Sequence, residues 1–248
     1  MNAKRAIVVG ATSGIGLAVA KLLAARGWQV GIAGRRQALL EEIQAREAGI
    51  VATEVIDVTQ PDAPERLGRL IGAVGGMDLY FHSAGVGFQN PQLNEEKELA
   101  IAATNVCGCT RLVLAAFKYF EARPGQAGHI AVISSIAGTK GLGVAPAYSA
   151  SKRYVSHYLE SLTQLAGMKH LRRLTITDIR PGFVDTDFLG GNHRYPMLMD
   201  AGRTARHILR GLERRRTVLT IDWKYRLLVL FWRLIPRCVW VRMRIEAR

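Results

Sequence analysis

The stretch that decides the fold is Ala6-Ile7-Val8-Val9-Gly10-Ala11-Thr12-Ser13-Gly14-Ile15-Gly16. Its apolar residues predict a buried strand, and its glycines mark a tight turn into a helix over residues 16–26. Such a turn lets the backbone approach a pyrophosphate group closely, while the helix N-terminus offers unpaired N–H groups and a favourable dipole. Glycines also occur in strand–helix turns for steric reasons alone. Their place directly after the first strand favours a dinucleotide-binding site.

Strand-length apolar runs alternate with helix-length segments along most of the chain. This alternation is typical of repeated βαβ units, so we predict an α/β fold in which helices flank one doubly wound parallel sheet. With 248 residues, of which 49% are hydrophobic, the chain fits one domain of this kind. The predicted strands lie at residues 6–9, 29–33, 51–56, 79–82, 129–133 and 174–179. The predicted helices lie at residues 16–26, 37–48, 64–74, 95–122 and 147–168.

The chemical signal is Tyr148-Ser149-Ala150-Ser151-Lys152, with Ser135 thirteen residues upstream. A tyrosine and a lysine four residues apart project from one face of a helix, so the ammonium group can favour the ionised phenol. Because the pKa of an unperturbed tyrosine is near ~10, lowering it would suit proton exchange at neutral pH. The Y-x-x-x-K pattern alone is common on surface helices. Its combination with the glycine-rich turn and Ser135 is far rarer.

Together these motifs resemble the short-chain dehydrogenase/reductase family, and the resemblance extends from about residue 4 to residue 186. It implies a Rossmann-type fold and an oxidoreductase that interconverts a ketone and a secondary alcohol. Tyr148 would be the general acid/base, Lys152 would lower its pKa and hold the nicotinamide ribose, and Ser135 would orient the substrate oxygen. Asn105 matches the family's asparagine that supports a water-linked proton relay. Ser134 is the rival serine, but the thirteen-residue spacing selects Ser135.

The resemblance also implies which residues contact the cofactor. The glycine-rich turn would hold the pyrophosphate, Asp57 and Val58 the adenine, and residues 181–186 the carboxamide side of the nicotinamide. The full set is Gly10, Thr12, Ser13, Gly14, Ile15, Gly16, Arg35, Arg36, Asp57, Val58, Ser83, Ala84, Gly85, Tyr148, Lys152, Pro181, Gly182, Val184 and Thr186.

Three positions depart from the family pattern. Val9 stands where threonine is usual, and His82 and Ser83 stand where two asparagines are usual. The small residues Ala84 and Gly85 would still admit the cofactor, so only local hydrogen bonding is affected. We predict that His82 is a packed residue at a strand end rather than a catalytic base.

The end of the second predicted strand distinguishes between the two nicotinamide cofactors. A carboxylate there would bind the ribose 2′-hydroxyl of NAD, whereas arginine pairs with the 2′-phosphate of NADP. The chain reads Gly34-Arg35-Arg36, with no acid. The alternative is a basic pair that merely starts a helix, but arginine is not favoured at a helix N-terminus. We therefore predict NADP(H) as the cofactor.

The basic charge is concentrated at the C-terminal end. The chain carries +14 overall, and residues 201–248 contain 13 Lys/Arg and three Asp/Glu, a net charge of +10. This concentration suits contact with anionic lipid, a phosphorylated substrate or nucleic acid, and for residues 203–216 the alternative is a solvated helix face. The arginines lack a recognised nucleic-acid-reading motif, so we expect no nucleic-acid partner.

Residues 223–236 are rich in tryptophan, leucine and arginine. Their longest apolar run, residues 227–232, is six residues, whereas crossing a bilayer takes roughly 20. A helix in the headgroup region of a membrane fits this composition, and packing on the core or on a second subunit is the alternative. The segment also resembles the ending of short-chain reductases that act on lipid-linked keto sugars, the decaprenylphosphoryl-2-keto-pentose reductases. We therefore divide the chain into a catalytic domain, residues 1–222, and an amphipathic extension, residues 223–248.

The remaining expectations concern setting and substrate. Cys107, Cys109 and Cys238 form no C-x-x-C pair, so we expect a reduced cytoplasmic compartment and no metal site. Residues 188–195 combine glycines with apolar and basic groups, which favours a mobile substrate lid. We expect a small-molecule or lipid-linked carbonyl substrate, peripheral contact with the inner face of an anionic membrane, and a homo-oligomer. The alternative function is a non-catalytic cofactor-binding or regulatory protein with the same fold.

Overall fold

A seven-stranded parallel sheet forms the centre of the molecule. The computed structural model describes residues 3–185 and 197–245. The strands follow the order β3-β2-β1-β4-β5-β6-β9, and each neighbouring pair is parallel. They are β1 (Arg5–Val9), β2 (Gln29–Gly34), β3 (Ile50–Val55), β4 (Leu79–His82), β5 (Gly128–Ile133), β6 (Leu174–Pro181) and β9 (Val218–Ile221). Two short strands, β7 (Val184–Asp185) and β8 (Met199–Asp200), pair beside it.

Helices cover both faces of this sheet. They are α1 (Gly14–Ala25), α2 (Gln37–Arg46), α3 (Ala63–Val74), α4 (Glu95–Ile101), α5 (Cys109–Glu121), α6 (Pro146–Met168), α7 (Ala201–Glu213), α8 (Trp223–Leu234) and α9 (Arg237–Trp240). A π-helical segment, Ala102–Gly108, joins α4 to α5, and a 3-10 turn, Ile136–Thr139, follows β5.

The alternating apolar runs predicted the fold class and the six strands from β1 to β6. They missed the seventh strand, because β9 is only four residues long and directly follows an arginine-rich helix end. The predicted helix over residues 95–122 is one continuous helical stretch, Glu95–Glu121, in which π-helical turns replace α-helical ones in the middle. Thr186 and the predicted lid, residues 188–195, lie outside the described residues.

The buried side chains form one layer on each face of the sheet. Along β4, Tyr80 points into the layer built with α3, α5 and α6, whereas Phe81 points into the layer built with α1 and α7. Both rings are fully buried. This alternation explains why the strand reads as continuously apolar although its side chains face opposite sides.

The combined helical stretch Glu95–Glu121 has the length and composition to cross a membrane. Its residues Leu112, Val113 and Phe117 are nevertheless buried in the layer that covers the sheet. We therefore assign it as a core helix.

The order of the strands creates a cleft at their carboxyl ends. Strand β1 lies between β2 and β4, so the connections that leave β1 and β4 diverge to opposite faces, which is where α/β sheets bind ligands. Gly10 follows β1 with a positive φ of 82°. A Cβ at Gly10 would lie 2.5 Å from the backbone nitrogen of Ala84, which follows β4. Only glycine lets the two connections approach so closely.

The C-terminal segment packs on the domain that precedes it. Tyr225 is fully buried, and Val229 and Trp240 are largely buried. The Trp232 Nε1–H donates to Thr139 Oγ1 at 2.8 Å, and the Trp240 Nε1–H donates to the Gly141 carbonyl at 2.8 Å. Lys140 Nζ donates to the Ile235 carbonyl at 2.7 Å. The division of the chain into two domains at residue 222 stays a prediction. These contacts join the two predicted parts of the chain.

Candidate active site

The cleft at the carboxyl ends of the strands opens into a cavity of about 950 Å³. Residues that follow β1, β2, β3, β4 and β5, together with the end of β6, line it. Every described residue predicted to contact substrate or cofactor lines this cavity except Gly16 and Asn105, which lie behind its wall. Leu228 and Trp232 of α8 also line it, although no sequence motif marks them as site residues.

The glycine-rich turn presents backbone rather than side chains to the cavity. Helix α1 begins at Gly14 with no acidic residue in its first turn, and Ser13 makes no side-chain capping bond. A Cβ at Gly16 would lie 2.1 Å from the Gly10 carbonyl oxygen, so the helix start must pack tightly on the turn. An uncapped helix N-terminus beside a side-chain-free turn fits the pyrophosphate of a dinucleotide.

The two arginines stand beside this turn. Arg36 Nη2 donates to Thr12 Oγ1 at 2.7 Å and to Ser13 Oγ at 3.2 Å, which holds its guanidinium over the start of α1. Arg35 interacts electrostatically with Asp57. Both arginines are exposed and line the cavity. Two cations and no carboxylate at the end of β2 fit a phosphorylated ribose.

Asp57 and Val58 form the neighbouring wall. Asp57 Oδ1 accepts hydrogen bonds from the Thr59 backbone N–H at 2.9 Å and from the Thr59 hydroxyl at 2.8 Å. Burial raises the pKa of the Asp57 carboxyl, but the two bonds from Thr59 and the charge of Arg35 outweigh it, so the pKa is lowered. An ionised Asp57 beside the apolar, buried Val58 gives a wall with a polar edge and an apolar surface, as an adenine ring requires.

Ser135, Tyr148 and Lys152 meet at the inner end of the cavity. Ser135 precedes the 3-10 turn, and its hydroxyl accepts from the Ala137 N–H at 3.1 Å while it hydrogen-bonds to the side chain of Tyr148. Tyr148 and Lys152 lie on one face of α6, with Lys152 Nζ 5.8 Å from the centroid of the tyrosine ring. Lys152 Nζ donates to the Ile133 carbonyl at 3.0 Å.

The expected effect of Lys152 on Tyr148 was wrong for this structure. Burial raises the pKa of Tyr148 to about 12, and the hydrogen bond with Ser135 opposes this rise. Burial also lowers the pKa of Lys152 to about 8, against the influence of Cys109 and Asp178. The reason is that both groups lie in the protein interior, where loss of hydration disfavours the charged form of each.

Asn105 lies in the π-helical segment and is 2% exposed. Its Oδ1 accepts from the Val86 N–H at 2.8 Å, and its Nδ2 donates to the Val86 carbonyl at 2.7 Å and to Ser151 Oγ at 3.1 Å. A Cβ at Gly85 would lie 3.2 Å from Asn105 Oδ1 and 3.5 Å from Lys152 Nζ, so both groups border the same small space. Wider π-helical turns are frequent at functional sites.

Ser134 and His82 have environments that differ from that of Ser135. Ser134 is buried at the cavity wall, and its hydroxyl donates to Asp178 Oδ1 and to the Ile179 carbonyl. His82 is 1% exposed, and its Nδ1 shares a 2.8 Å hydrogen bond with the Tyr80 hydroxyl. Burial, aided by the charge of Lys152, lowers the pKa of His82 to about 3, although a backbone hydrogen bond to Ala84 opposes it. His82 is therefore a neutral packed residue, as predicted.

The turn after β6 borders the other side of the cavity through Pro181, Gly182 and Val184. Tyr225 of α8 holds this turn, because its hydroxyl accepts from the Phe183 N–H at 3.1 Å and donates to the Met197 carbonyl at 3.0 Å. A Cβ at Gly182 would lie 2.1 Å from the Tyr225 ring. Helical spacing of residues 225, 228, 229 and 232 was the signal that could have found this face.

Comparisons with known proteins agree with this geometry. A family model described as short chain dehydrogenase matches residues 4–194. An uncharacterized oxidoreductase of Myxococcus xanthus is 36% identical over 234 residues, which cover 90% of this chain and 89% of the relative.

Two solved structures have a similar fold. A short-chain type dehydrogenase/reductase from Mycobacterium marinum has a TM-score of 0.79 at 25% identity, covering 90% of this chain and 95% of its own. A variant of actinorhodin polyketide ketoreductase with NADPH has a TM-score of 0.74 at 25% identity, covering 88% of this chain and 95% of its own.

Proposed function

Because the chain belongs to the short-chain dehydrogenase family, whose members are oxidoreductases that bind a nicotinamide cofactor, we propose that it is an NADP(H)-dependent enzyme. It interconverts a ketone and a secondary alcohol. The observation that carries this proposal is the meeting of Ser135, Tyr148 and Lys152 at the inner end of the cavity that the glycine-rich turn also lines.

The cofactor, when bound, supplies or accepts the hydride; the glycine-rich turn, Arg35, Arg36 and Lys152 would hold it. For reduction, the Ser135 hydroxyl orients the carbonyl oxygen and Tyr148 gives that oxygen its proton. Burial raises the pKa of Tyr148, so the phenol is protonated at neutral pH and can donate that proton to the carbonyl oxygen. Lys152 and Asn105 border one small space beside Gly85, and we assign them to proton resupply from solvent.

Tyr148→Phe tests the chemistry. It removes the proton donor while keeping the ring, so turnover of ketones with NADPH should fall by about 100-fold or more. NADPH affinity, measured by fluorescence titration, should stay within a few-fold of wild type. Unchanged turnover in Tyr148→Phe would favour the non-catalytic, regulatory alternative.

The double variant Arg35→Ala, Arg36→Ala tests the cofactor. Losing the charged partners of the 2′-phosphate should weaken NADPH binding by about 10- to 100-fold and leave NADH binding nearly unchanged. Arg46→Ala, at the far end of α2 and exposed, is the matched control and should bind NADPH like wild type. Tighter binding of NADH than of NADPH by the wild-type protein would contradict the assignment.

The substrate end of the cavity supports a large apolar carbonyl compound. Phe88, Leu142 and Val144 line it together with Leu228 and Trp232. We therefore place the substrate among long-chain or lipid-linked ketones. A cytoplasmic homo-oligomer at the inner face of the membrane stays a prediction. A turnover screen of small ketones, steroids, 3-keto acyl chains and polyprenyl-linked keto sugars tests the class. A preference for small hydrophilic ketones would contradict it.

A further inference from the structure

Helix α8 has two apolar faces that point in opposite directions. The inner face contains Tyr225, Leu228, Val229 and Trp232, which are buried or half-buried against the domain. At about 100° per residue, these positions cluster on one side of the helix.

The outer face is solvent-exposed although it is just as apolar. It consists of Trp223, Leu227, Leu230, Phe231 and Leu234, which we call the outer stripe. At about 100° per residue these five side chains fall within roughly 100° of arc, opposite the inner face. Trp223 and Phe231 are each 64% exposed, and Leu234 is 71% exposed. Packing on the domain explains the inner face and leaves the outer stripe unexplained.

Basic residues border the outer stripe on both sides. The same angular spacing puts Lys224 along one edge and Arg226 and Arg233 along the other. Residues 223–245 contain six basic residues and no acidic one. All six are exposed, and none is paired with a carboxylate within residues 3–185 and 197–245. An apolar stripe with a tryptophan and flanking cations is the composition of a helix that lies in a membrane interface.

The charge decides between the candidate partners. In a two-fold dimer the same patch would face itself, and six cations without one anion would then meet their own copies. An anionic lipid surface supplies both the apolar layer and the opposite charge. We propose that the outer stripe of α8 docks the protein on anionic membranes, with Trp223, Leu227, Leu230, Phe231 and Leu234 inserted among the headgroups.

The docked position would bring the substrate cavity close to lipid. Leu228 and Trp232 on the inner face line the cavity, so one helix separates the membrane from the substrate end. Docking itself depends only on the outer stripe and its cations. Tyr148→Phe should therefore bind vesicles like wild type, and failure of the proposed catalysis leaves the docking test intact.

Vesicle co-sedimentation of the full-length protein tests the proposal. Vesicles of phosphatidylcholine with one quarter phosphatidylglycerol should bind it at low salt, and added salt or pure phosphatidylcholine should reduce binding. Leu230→Glu, Phe231→Glu should reduce the partition coefficient at least 10-fold. Leu99→Glu, Met168→Glu is the matched control, since both residues are exposed apolar positions outside α8 and the charge change is identical. The control should bind like wild type.

A further pair of double variants measures how much the basic residues of α8 contribute to vesicle binding. Arg226→Gln, Arg233→Gln should weaken binding about 30-fold, at about fivefold per basic residue near the surface. Arg153→Gln, Arg172→Gln removes two exposed arginines elsewhere and should have no such effect. Equal losses in both pairs would indicate attraction by net charge alone and would overturn the proposal, as would absence of wild-type binding.

A second measurement tests insertion of Trp223 without adding or removing a charge. Lipids brominated near the headgroup should quench part of the tryptophan fluorescence on binding, and Trp223→Phe should abolish that quenched part. Quenching that persists in Trp223→Phe would contradict insertion of the outer stripe. The alternative occupant of the outer stripe is a partner protein with an acidic surface, which would bind without vesicles. Failure of the protein to sediment with any vesicle would therefore contradict membrane docking.

Discussion

Lys152 is 6% exposed and carries its charge into the protein interior. Its Nζ is held by the Ile133 carbonyl, and burial lowers its pKa from the usual 10.5 to about 8. The unfolded chain therefore binds one more proton than the folded chain between pH 8 and about pH 10. The free energy of unfolding should therefore increase as the pH rises through that window, because the buried lysine then loses its charge.

Lys152→Met makes this measurable. The free energy of unfolding of the wild type minus that of Lys152→Met should rise by about 2 kcal/mol between pH 8 and pH 10. Taking the difference removes the contribution of groups that titrate alike in both proteins. Urea unfolding at several pH values provides the data. If the free energies of unfolding of the two proteins change with pH in parallel, the pKa of Lys152 is not lowered and the prediction is wrong.

The sequence indicated the candidate site residues only where residue types and their spacing form a pattern. Ser135, Tyr148 and Lys152 were found from their separations, and the structure brings them together. Their pKa values were not readable, because burial decides them and depends on chain segments far away. Tyr225 was missed for the same reason, since its partners Phe183 and Met197 are 42 and 28 residues away.

At the scale of elements, strong periodicity gave the right helices and strands. Strand β9 was hidden because four residues carry little pattern, and its place beside β6 depends on pairing. The π-helical segment carries no sequence signal, since its extra width becomes visible only in the contacts of Asn105. The inner face of α8 follows helical spacing at residues 225, 228, 229 and 232, but the outer stripe is equally apolar, so composition alone did not separate the two faces.

Tyr225→Phe tests the contact between α8 and the turn after β6. Removing the hydroxyl leaves the Phe183 N–H and the Met197 carbonyl without this partner, at a cost of about 2 kcal/mol. For a chain of this length the melting temperature should fall by about 6 °C. The KM for substrate should rise as well, because the turn lines the cavity. Scanning calorimetry and steady-state kinetics measure the two effects.

Tyr154→Phe is the matched control for this change. The Tyr154 hydroxyl also forms a hydrogen bond, to Thr110 Oγ1 at 2.9 Å, but it lies at an exposed site. Its loss should alter stability by no more than about 0.5 kcal/mol. Equal effects of the two substitutions would mean that α8 does not hold the turn.

For the whole molecule, the arrangement of layers gives the C-terminal segment two separate roles. Its inner face completes the hydrophobic layer on one side of the sheet and lines the cavity. Its outer stripe and cations face solvent and carry much of the positive charge that lies after residue 200. Substitutions on the outer stripe should therefore leave the fold intact, so they can test the proposed membrane binding on its own.

Deletion of residues 223–248 should, by contrast, strongly destabilise the domain. It removes the buried Tyr225, Val229 and Trp240, whose burial contributes about 2 kcal/mol each, or about 6 kcal/mol together. That is a large part of a typical total stability of roughly 5–15 kcal/mol. The chain of residues 1–222 should unfold at a much lower temperature or aggregate, whereas Leu230→Glu, Phe231→Glu should melt within about 2 °C of wild type. If the shortened chain melts like the full protein, residue 222 is a true domain boundary and the inner face of α8 adds little to the fold.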